Sequence, residues 1–276
     1  MGGVTDVGEL IYTDGLGRWV EHRGHGPDVL LIAGLGDSVE AWAFQLDGLA
    51  DRYHLVGFDN RGTGRTKLPA ESFSVATLAD DAAEVLSALD VPAAHVAGFS
   101  GGSVIAQELA LRRPDLVRSL VLVSTWARPD AYLRAVFESW RWQAEFAPSE
   151  RAFLEAFLVW VYTPRAHQDG TVGMIIDEAM AFPHKASTDA IQRTLDALLA
   201  HETADRLSEI TVPTLMLAGG LDLVSPPRYG RAVAEGIGGA RFEVLPDEAH
   251  QPFQEVPEDF NAMVDAFWRE VDRAER

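Results

Sequence analysis

The chain has 276 residues, of which 47% are hydrophobic and 24% are charged. This length supports one large domain, or one domain with an insertion, and the composition excludes disordered and collagen-like proteins. Acidic residues outnumber basic ones by 42 to 23, and the formal charge of −19 would repel nucleic acid and anionic membranes. The lack of cysteine excludes disulfides, thiolate metal sites and cysteine nucleophiles.

Apolar runs of strand length alternate with helical patterns along most of the chain. Strands are expected at residues 8–12, 18–22, 29–33, 53–58, 94–99, 119–124, 214–218 and 241–245. Helices are expected at 39–50, 75–89, 101–112, between the last two strands, and from about 257 to 272. Such alternation is typical of parallel βαβ units whose sheet is covered on both faces, so the sequence predicts an α/β fold.

One stretch interrupts this alternation. Between Trp126 and Thr211 there is no strand pattern, only helical patterns broken by prolines, and the stretch holds 11 of the 25 aromatic residues. We interpret residues 127–203 as a helical cap and residues 1–126 and 204–276 as the core domain. Ligand pockets are mostly apolar, so a few of the aromatic side chains are expected to face a cavity.

The N-terminal sequence predicts no targeting signal. MGGVTDVGEL has neither a basic start nor an apolar stretch, and Asp6 departs from the myristoylation pattern. Apolar runs such as Val29–Ala33 and Phe157–Val161 are too short to span a bilayer. We therefore expect a cytoplasmic protein with a small-molecule substrate and no nucleic-acid or membrane partner, and a homodimer is left open.

A glycine-rich turn with a central serine joins a predicted strand to a predicted helix. Residues 98–102, Gly-Phe-Ser-Gly-Gly, have the G-x-S-x-G pattern of a nucleophile turn. A nucleophile on such a turn takes strained backbone angles, which require small residues two positions before and after it. Gly98 and Gly102 meet that need. Ser100 is the candidate nucleophile, and a plain glycine turn is the alternative.

A serine nucleophile needs a base, and the base needs an acid to orient it. Among the eight histidines, His250 follows the last predicted strand at its carboxyl end, the edge where open α/β sheets bind ligands. Asp222 follows strand 214–218 at the same edge, whereas Ser124, which ends strand 119–124, offers no carboxylate there. Asp247 and Glu248 are expected to be solvated loop charges.

Two backbone amides are predicted to form the oxyanion hole. Gly101 follows the nucleophile directly, and Leu35 lies in the loop after strand 29–33. The glycines of that loop also suggest a dinucleotide site, but Val39 stands where the third glycine would be, which disfavours it.

The order of these motifs resembles the α/β-hydrolase superfamily along nearly the whole chain. Residues 59–66 (DNRGTGRT) are similar to the family's D-x-R-G-x-G-x-S turn, which is structural there. Residues 219–226 (GGLDLVSP) and 250–257 (HQPFQEVP) are similar to its G-x-x-D-x-x-x-P and H-x-x-x-x-E-x-P motifs. The resemblance implies an eight-stranded, mostly parallel sheet, a helical cap between strands six and seven, and a triad of Ser100, Asp222 and His250.

Within the superfamily, residues 120–130 look most similar to 3-oxoadipate enol-lactonases and to the aminoacrylate hydrolases of pyrimidine breakdown. Three positions depart from the usual pattern. Ala33 replaces a histidine before the oxyanion glycine, Gly101 replaces a larger residue after the nucleophile, and Ala249 replaces a glycine before the catalytic histidine. None of these departures removes a catalytic atom.

The sequence predicts a serine hydrolase that cleaves an ester or lactone of a small apolar or aromatic substrate, without a metal or organic cofactor. The residues predicted to bind substrate are Gly34, Trp126, Trp140 and Val224. The arginines that could neutralise a substrate carboxylate are Arg128, Arg134 and Arg141. The alternatives are a C–C bond hydrolase, a haloperoxidase-like perhydrolase with the same triad, and a slow-turnover receptor on a hydrolase fold.

Overall fold

The computed structural model describes residues 7–275, whereas residues 1–6 and residue 276 lie outside it. The prediction that the N-terminus carries no targeting signal rests mostly on those first residues and stays a prediction. Within the described range eight strands form one sheet: β1 (Val7–Thr13), β2 (Leu16–Gly24), β3 (Asp28–Ile32), β4 (His54–Phe58), β5 (Ala94–Phe99), β6 (Val117–Val123), β7 (Thr214–Gly219) and β8 (Arg241–Leu245). Their order is β1-β2-β4-β3-β5-β6-β7-β8. β2 pairs antiparallel with β1 and β4, and all other pairs are parallel, which confirms the predicted sheet.

The same described range contains eleven α-helices. They are α1 (Ala43–Leu49), α2 (Val75–Ala88), α3 (Gly101–Arg112), α4 (Ala131–Phe146), α5 (Glu150–Leu158), α6 (Pro164–Gln168), α7 (Thr171–Ala181), α8 (Thr188–Ala200), α9 (Pro227–Gly236), α10 (Pro252–Glu255) and α11 (Pro257–Ala274). None of these helices combines the length and the apolar character that crossing a membrane requires.

Several predicted elements differ from the structure by one or two residues at their ends, and two of the differences have a visible structural basis. The helix expected over 39–50 begins as a 3₁₀ helix, Val39–Trp42, and continues as α1. β6 begins at Val117, two residues earlier than expected, because Val117 already pairs with Ala94 across a shift in the β5–β6 register. Val123 is its last residue, since Ser124 takes a left-handed backbone conformation with φ 52°.

The sheet separates two apolar layers. β3 shows why: Leu30 and Ile32 pack into the layer that contains α2, α3 and α9, whereas Val29 and Leu31 pack into the layer that contains α1, α10 and α11. Successive side chains of a strand point to opposite faces, so a strand covered on both sides is apolar at every position. Because β3 to β8 pair in parallel, their carboxyl ends lie at one edge of the sheet.

Helices α4 to α8 all lie between β6 and β7. Each of several helix starts has a capping side chain: Asp130 accepts a hydrogen bond from Leu133 N, and Ser149 and Ser187 accept from the backbone of α5 and α8. The prolines expected to break helical patterns lie between helices or at the first turn of α6. The boundaries of a separate cap domain at 127 and 203 stay a prediction.

The turn after β4 is held by a buried carboxyl. Asp59 Oδ1 accepts a hydrogen bond from Val39 N at 2.8 Å, and Oδ2 accepts one from Arg65 N at 2.7 Å. Burial raises the pKa of Asp59 to about 6, against the lowering effect of these hydrogen bonds. A β-carbon on Gly64 would lie 2.0 Å from Asp59 Oδ2, so glycine is required beside it. The turn therefore connects two loops at the carboxyl edge of the sheet.

Candidate active site

Ser100 lies at the sharp turn between β5 and α3. Its backbone has φ 51° and ψ −119°, a region that non-glycine residues adopt only when the surroundings impose it. A β-carbon on Gly98 would lie 2.3 Å from Gly102 O, and one on Gly102 would lie 2.1 Å from Ile32 O. Both contacts are with backbone atoms that cannot move aside, so the turn requires glycine at both positions. The turn places the Ser100 hydroxyl at the carboxyl edge of the sheet.

Three side chains meet in a row at this edge. Ser100 Oγ lies 2.9 Å from His250 Nε2, and His250 Nδ1 lies 2.8 Å from Asp222 Oδ2. The chain positions span 150 residues between the serine and the histidine. All three residues are at most 5% exposed. The arrangement can carry a proton from the hydroxyl to the imidazole while the carboxylate stabilises the imidazolium.

The Asp222 carboxylate is stabilised by backbone and side-chain donors. Oδ1 accepts hydrogen bonds from Val224 N at 2.8 Å and Ser225 N at 2.9 Å. Burial alone would raise the pKa of Asp222, but the charge and hydrogen bond of His250 and the two N–H groups together lower it. Asp222 is therefore ionised next to His250.

Two serines for which the sequence predicts no role connect the loops of the site by hydrogen bonds. Ser124 Oγ donates to His250 O at 2.8 Å, and Ser225 Oγ lies 2.8 Å from Ser124 O and 3.0 Å from Asp222 Oδ2. The left-handed conformation of Ser124 aims its hydroxyl at the histidine loop. Their positions in the sequence are the only indication of these contacts: Ser124 follows β6, and Ser225 lies in the motif after β7.

A half-buried glutamate connects the histidine loop to the turn between α5 and α6. Glu255 Oε2 accepts from Ala249 N at 3.0 Å, and Oε1 accepts from Thr163 N at 3.0 Å and Thr163 Oγ1 at 2.6 Å. His250 N also donates to Val161 O at 3.0 Å. The acid of the H-x-x-x-x-E-x-P motif thus holds the loop of His250 against the segment that precedes α6.

Glu248 differs from its predicted role. It was expected to be a solvated loop charge, but its side chain is buried and pairs with Arg165 Nη2 at 2.6 Å, while its carbonyl accepts from Leu221 N. The loop turns back against β7 and α6, which removes this carboxylate from water. Asp247 is exposed, as expected.

The residues predicted for the oxyanion hole lie side by side. A β-carbon on Gly101 would lie 3.7 Å from Leu35 N, so the loop after β3 reaches the start of α3. Gly101 N belongs to the first turn of a helix, where N–H groups have no partner within the helix. A small cavity is lined by Gly34, Leu35 and Gly101 together with Thr194 and Leu198 of α8. Leu35 and Gly101 therefore line the same cavity, although Ser100 itself is not among the residues that line it.

The other predicted substrate-binding residues lie elsewhere. Trp126 and Trp140 flank Phe137, each with ring centroids 5.4 Å apart, in the main apolar cluster, and neither lines the small cavity. Both indole N–H groups are buried, and no hydrogen-bond partner for them is found in the described part of the chain. Val224 is fully buried and contributes its N–H to Asp222. Substrate contact by these three residues stays a prediction.

The three arginines considered for a substrate carboxylate lie on the surface. Arg128 pairs with Glu202, and Arg141 Nη2 lies 2.7 Å from Asp196 Oδ1. Arg134 is exposed on α4. Their positions give them no visible part in the site. Among residues 7–275 no group of three or more histidine and acidic side chains is placed to hold a metal ion.

Asp37 was not predicted, yet its carboxyl lies next to Gly34, one of the residues that line the small cavity. A β-carbon on Gly34 would lie 3.1 Å from Asp37 Oδ2 and 3.1 Å from two atoms of the Phe99 ring. The Phe99 ring in turn packs against His250, with centroids 5.0 Å apart. Burial raises the pKa of Asp37 to about 7, although the charge of His250 lowers it, and the same carboxyl helps to raise the pKa of Tyr162.

The raised pKa of Asp37 predicts a pH-dependent loss of stability. An acid whose pKa is higher in the folded chain destabilises it as pH rises from the ordinary value of 3.8 to about 7, because the unfolded chain releases its proton first. Replacing Asp37 with asparagine should therefore raise the free energy of unfolding by about 3 kcal/mol more at about pH 8 than at about pH 4.5. Urea unfolding of both proteins at the two pH values measures this.

The control for that measurement is Asp47→Asn, which removes the same charge from a side chain that is 71% exposed. This variant should show no comparable gain at high pH. A gain for Asp37→Asn that is equal at both pH values would contradict the raised pKa.

Comparisons with known proteins agree with this architecture. Residues 27–255 match the family model described as the alpha/beta hydrolase fold. A protein of Azorhizobium caulinodans named "Putative carbamate hydrolase RutD" is 35% identical over 255 residues, which cover 92% of this chain and 96% of that relative. A thermophilic esterase from Thermogutta terrifontis superposes with a TM-score of 0.83 at 25% identity, over 98% of this chain and 99% of that one.

An enol-lactonase from Burkholderia xenovorans superposes with a TM-score of 0.84, over 94% of this chain and 99% of that one. Its sequence is 23% identical, so it shows the shared fold alone. The family model spans most of the sequence, and the curated relative is matched over nearly its full length. The chain therefore belongs to the α/β-hydrolase family and is a hydrolase.

Proposed function

We propose that the protein cleaves a carboxylic ester or lactone of a small apolar or aromatic substrate through an acyl-enzyme on Ser100. The observation that carries this proposal is the unbroken contact from the Ser100 hydroxyl through His250 to the ionised Asp222. A carboxylate held by two backbone N–H groups can orient an imidazole and stabilise its cation, which activates the hydroxyl.

Acylation follows from this geometry. His250 Nε2 takes the Ser100 proton as Oγ attacks the carbonyl carbon, and the carbonyl oxygen becomes an oxyanion that accepts hydrogen bonds from Leu35 N and Gly101 N. When the tetrahedral intermediate collapses, the bond to the alkoxy oxygen breaks and His250 donates its proton to that oxygen. The alcohol leaves, and in a lactone it remains attached to the acyl chain.

Deacylation repeats these steps with water. His250 takes a proton from water, the resulting hydroxide attacks the acyl carbon, and the same two amides hold the second oxyanion. Collapse breaks the bond to Ser100 Oγ, which recovers its proton from His250. The carboxylic acid product then leaves.

The substrate class is supported by the relatives. The esterase of Thermogutta terrifontis shares the fold over nearly its whole length. A carbamate is the second candidate, because the chain is 35% identical to a relative whose name refers to carbamate hydrolysis. The same triad could attack either carbonyl, since both reactions pass through an oxyanion.

A substrate screen with trapping of the acyl-enzyme tests the proposal. The screen covers phenyl esters of increasing acyl length, several lactones and phenyl carbamates, and it should include substrates with steady turnover. An ester should give an acid and phenol, a lactone a single hydroxy acid, and a carbamate phenol together with a carbamic acid that decomposes to an amine and carbon dioxide. A fluorophosphonate should block turnover and add its mass to the peptide that contains Ser100. A burst that stops after one equivalent, ketone products, or labelling of another residue would contradict the proposed reaction.

A further inference from the structure

We propose that the Asp37 carboxyl accepts a hydrogen bond from an N–H group of the substrate next to the scissile carbonyl. The site would then favour acyl groups that carry an amine over acyl groups of similar size that carry a methyl group or a carboxylate. This inference rests on the proposed ester hydrolysis and adds the class of acyl group to it.

The Asp37 carboxyl lies close in the chain and in space to the proposed oxyanion amide of Leu35. Asp37 follows Leu35 by two residues, and Asp37 Oδ2 packs against Gly34, the residue before the proposed oxyanion amide. A β-carbon on Gly34 would also lie 3.1 Å from the ring of Phe99, the residue before Ser100, so the carboxyl and this ring both lie next to Gly34. A carbonyl bound between Leu35 N and Ser100 Oγ therefore has the carboxyl as a close neighbour.

The Asp37 carboxyl has no hydrogen-bond partner among residues 7–275. In the part of the chain that the structure describes, no residue donates a hydrogen bond to Asp37, and no arginine or lysine pairs with it. The Asp37 side chain is half-buried, and its surroundings raise the pKa of the carboxyl to about 7, which means that desolvation of the charged form carries a free-energy cost. An N–H group of the substrate would offset that cost.

The polar groups near the Asp37 carboxyl are already engaged in other hydrogen bonds. The Tyr162 hydroxyl donates to Gln251 Oε1 at 2.8 Å and also contacts Gln254. Both nitrogens of His250 are engaged, one with Ser100 and the other with Asp222. The protein thus leaves the carboxyl to a donor that arrives with the ligand. An ammonium or amine fits this demand, whereas a second carboxylate would be repelled.

A different role for Asp37 would be to stabilise the imidazolium of His250 through its charge. That role would change the hydrolysis of all substrates by the same factor, because every acyl group passes through the same imidazolium. Contact with the substrate changes only the ratio between acyl groups. The ratio is therefore the quantity to measure.

The test uses three phenyl esters of similar size: phenyl glycinate, phenyl propionate and the monophenyl ester of malonic acid. They place an ammonium or amine, a methyl group and a carboxylate at the same distance from the carbonyl. Release of phenol at about pH 8, where the carboxyl is ionised, gives kcat/KM for each ester after subtraction of the spontaneous rate. Comparing variants removes the intrinsic reactivity of each ester from the result.

In Asp37→Asn, the ratio of kcat/KM for the glycinate over the propionate should fall by about tenfold or more, as expected for the loss of a charge-assisted hydrogen bond. Hydrolysis of the malonate ester should rise relative to the propionate. Asp37→Leu should show a larger fall, because it also removes the polar atoms. Asp47→Asn, which carries the same change in charge on an exposed side chain, should keep the parental ratio.

An unchanged ratio in both Asp37 variants, or an equal loss for all three esters, would overturn the substrate contact. Labelling of Ser100 by a fluorophosphonate and the unfolding midpoint show whether each variant retains its fold. If the parent protein hydrolysed none of the three esters or any other ester, the proposed function would fail and this inference with it. That outcome is distinct from an unchanged ratio in an active enzyme.

Discussion

Replacing Ser100 with alanine should lower kcat by roughly 10⁴- to 10⁶-fold on any ester that the parent protein turns over. The variant loses the atom that attacks the carbonyl, whereas His250 and Asp222 keep their contact at 2.8 Å. Alanine adds no atoms to the tight turn, so the midpoint of thermal unfolding should change little. Steady-state kinetics and a thermal melt of the same preparation measure both quantities.

Ser87→Ala is the matched control, because Ser87 is exposed on α2 and belongs to none of the motifs of the site. It should keep the parental kcat. Mass spectrometry should show an acyl adduct on the parent protein after rapid acid quenching and none on Ser100→Ala. Retention of more than a tenth of the parental kcat by Ser100→Ala would exclude the acyl-enzyme mechanism.

Replacing Asp222 with asparagine should lower kcat by roughly 10⁴-fold. The amide oxygen can still accept from Val224 N and Ser225 N, which leaves the amide N–H₂ group facing His250 Nδ1. That donor requires Nδ1 to act as an acceptor, so the proton of a neutral imidazole moves to Nε2. The imidazole then has no free acceptor for the Ser100 proton.

The substitution should lower kcat more than it changes KM, because Asp222 contacts His250 at Nδ1, the ring nitrogen that does not face Ser100. Asp47→Asn serves again as the control for removal of a carboxylate, since its side chain is 71% exposed. If Asp222→Asn kept kcat within tenfold of the parent, the imidazole would not need this carboxylate for orientation, and another acid would have to be sought.

The sheet could be predicted from the sequence because burial on both faces leaves a direct trace in it. β3 and β5 are runs of apolar residues, and a strand that is exposed on one face would alternate instead. The nucleophile was also recognisable, because the backbone contacts at Gly98 and Gly102 admit no side chain and so leave glycine at fixed spacing.

The braces of the site could not be predicted in this way. Ser124 contacts a histidine 126 residues away, and Glu255 joins two loops through contacts with backbone atoms, which impose no residue type at the other end. Nothing in the sequence distinguishes Asp37 from an ordinary loop aspartate. Polar loop residues acquire their roles from neighbours that come together only in the fold.

Trp126 and Trp140 show the opposite difficulty. Aromatic residues are frequent both in ligand pockets and in the cores of small helical units, so composition cannot separate the two roles. Here both indoles pack around Phe137. The burial of each ring depends on how α4 lies against its neighbours, which the sequence pattern of one helix does not specify.

The contacts of Glu255 and Val161 bear on the construction of chimeric enzymes. His250 N is bound to Val161 O, and Ala249 N shares the Glu255 carboxylate with Thr163. A graft that imports the helices of a relative but displaces residues 161–163 would leave His250 N without its acceptor and would remove the Thr163 donors that hold the Glu255 carboxylate. Exchange of substrate preference between relatives should therefore succeed when that three-residue segment is transplanted together with its matching histidine loop, and fail when the junction separates them.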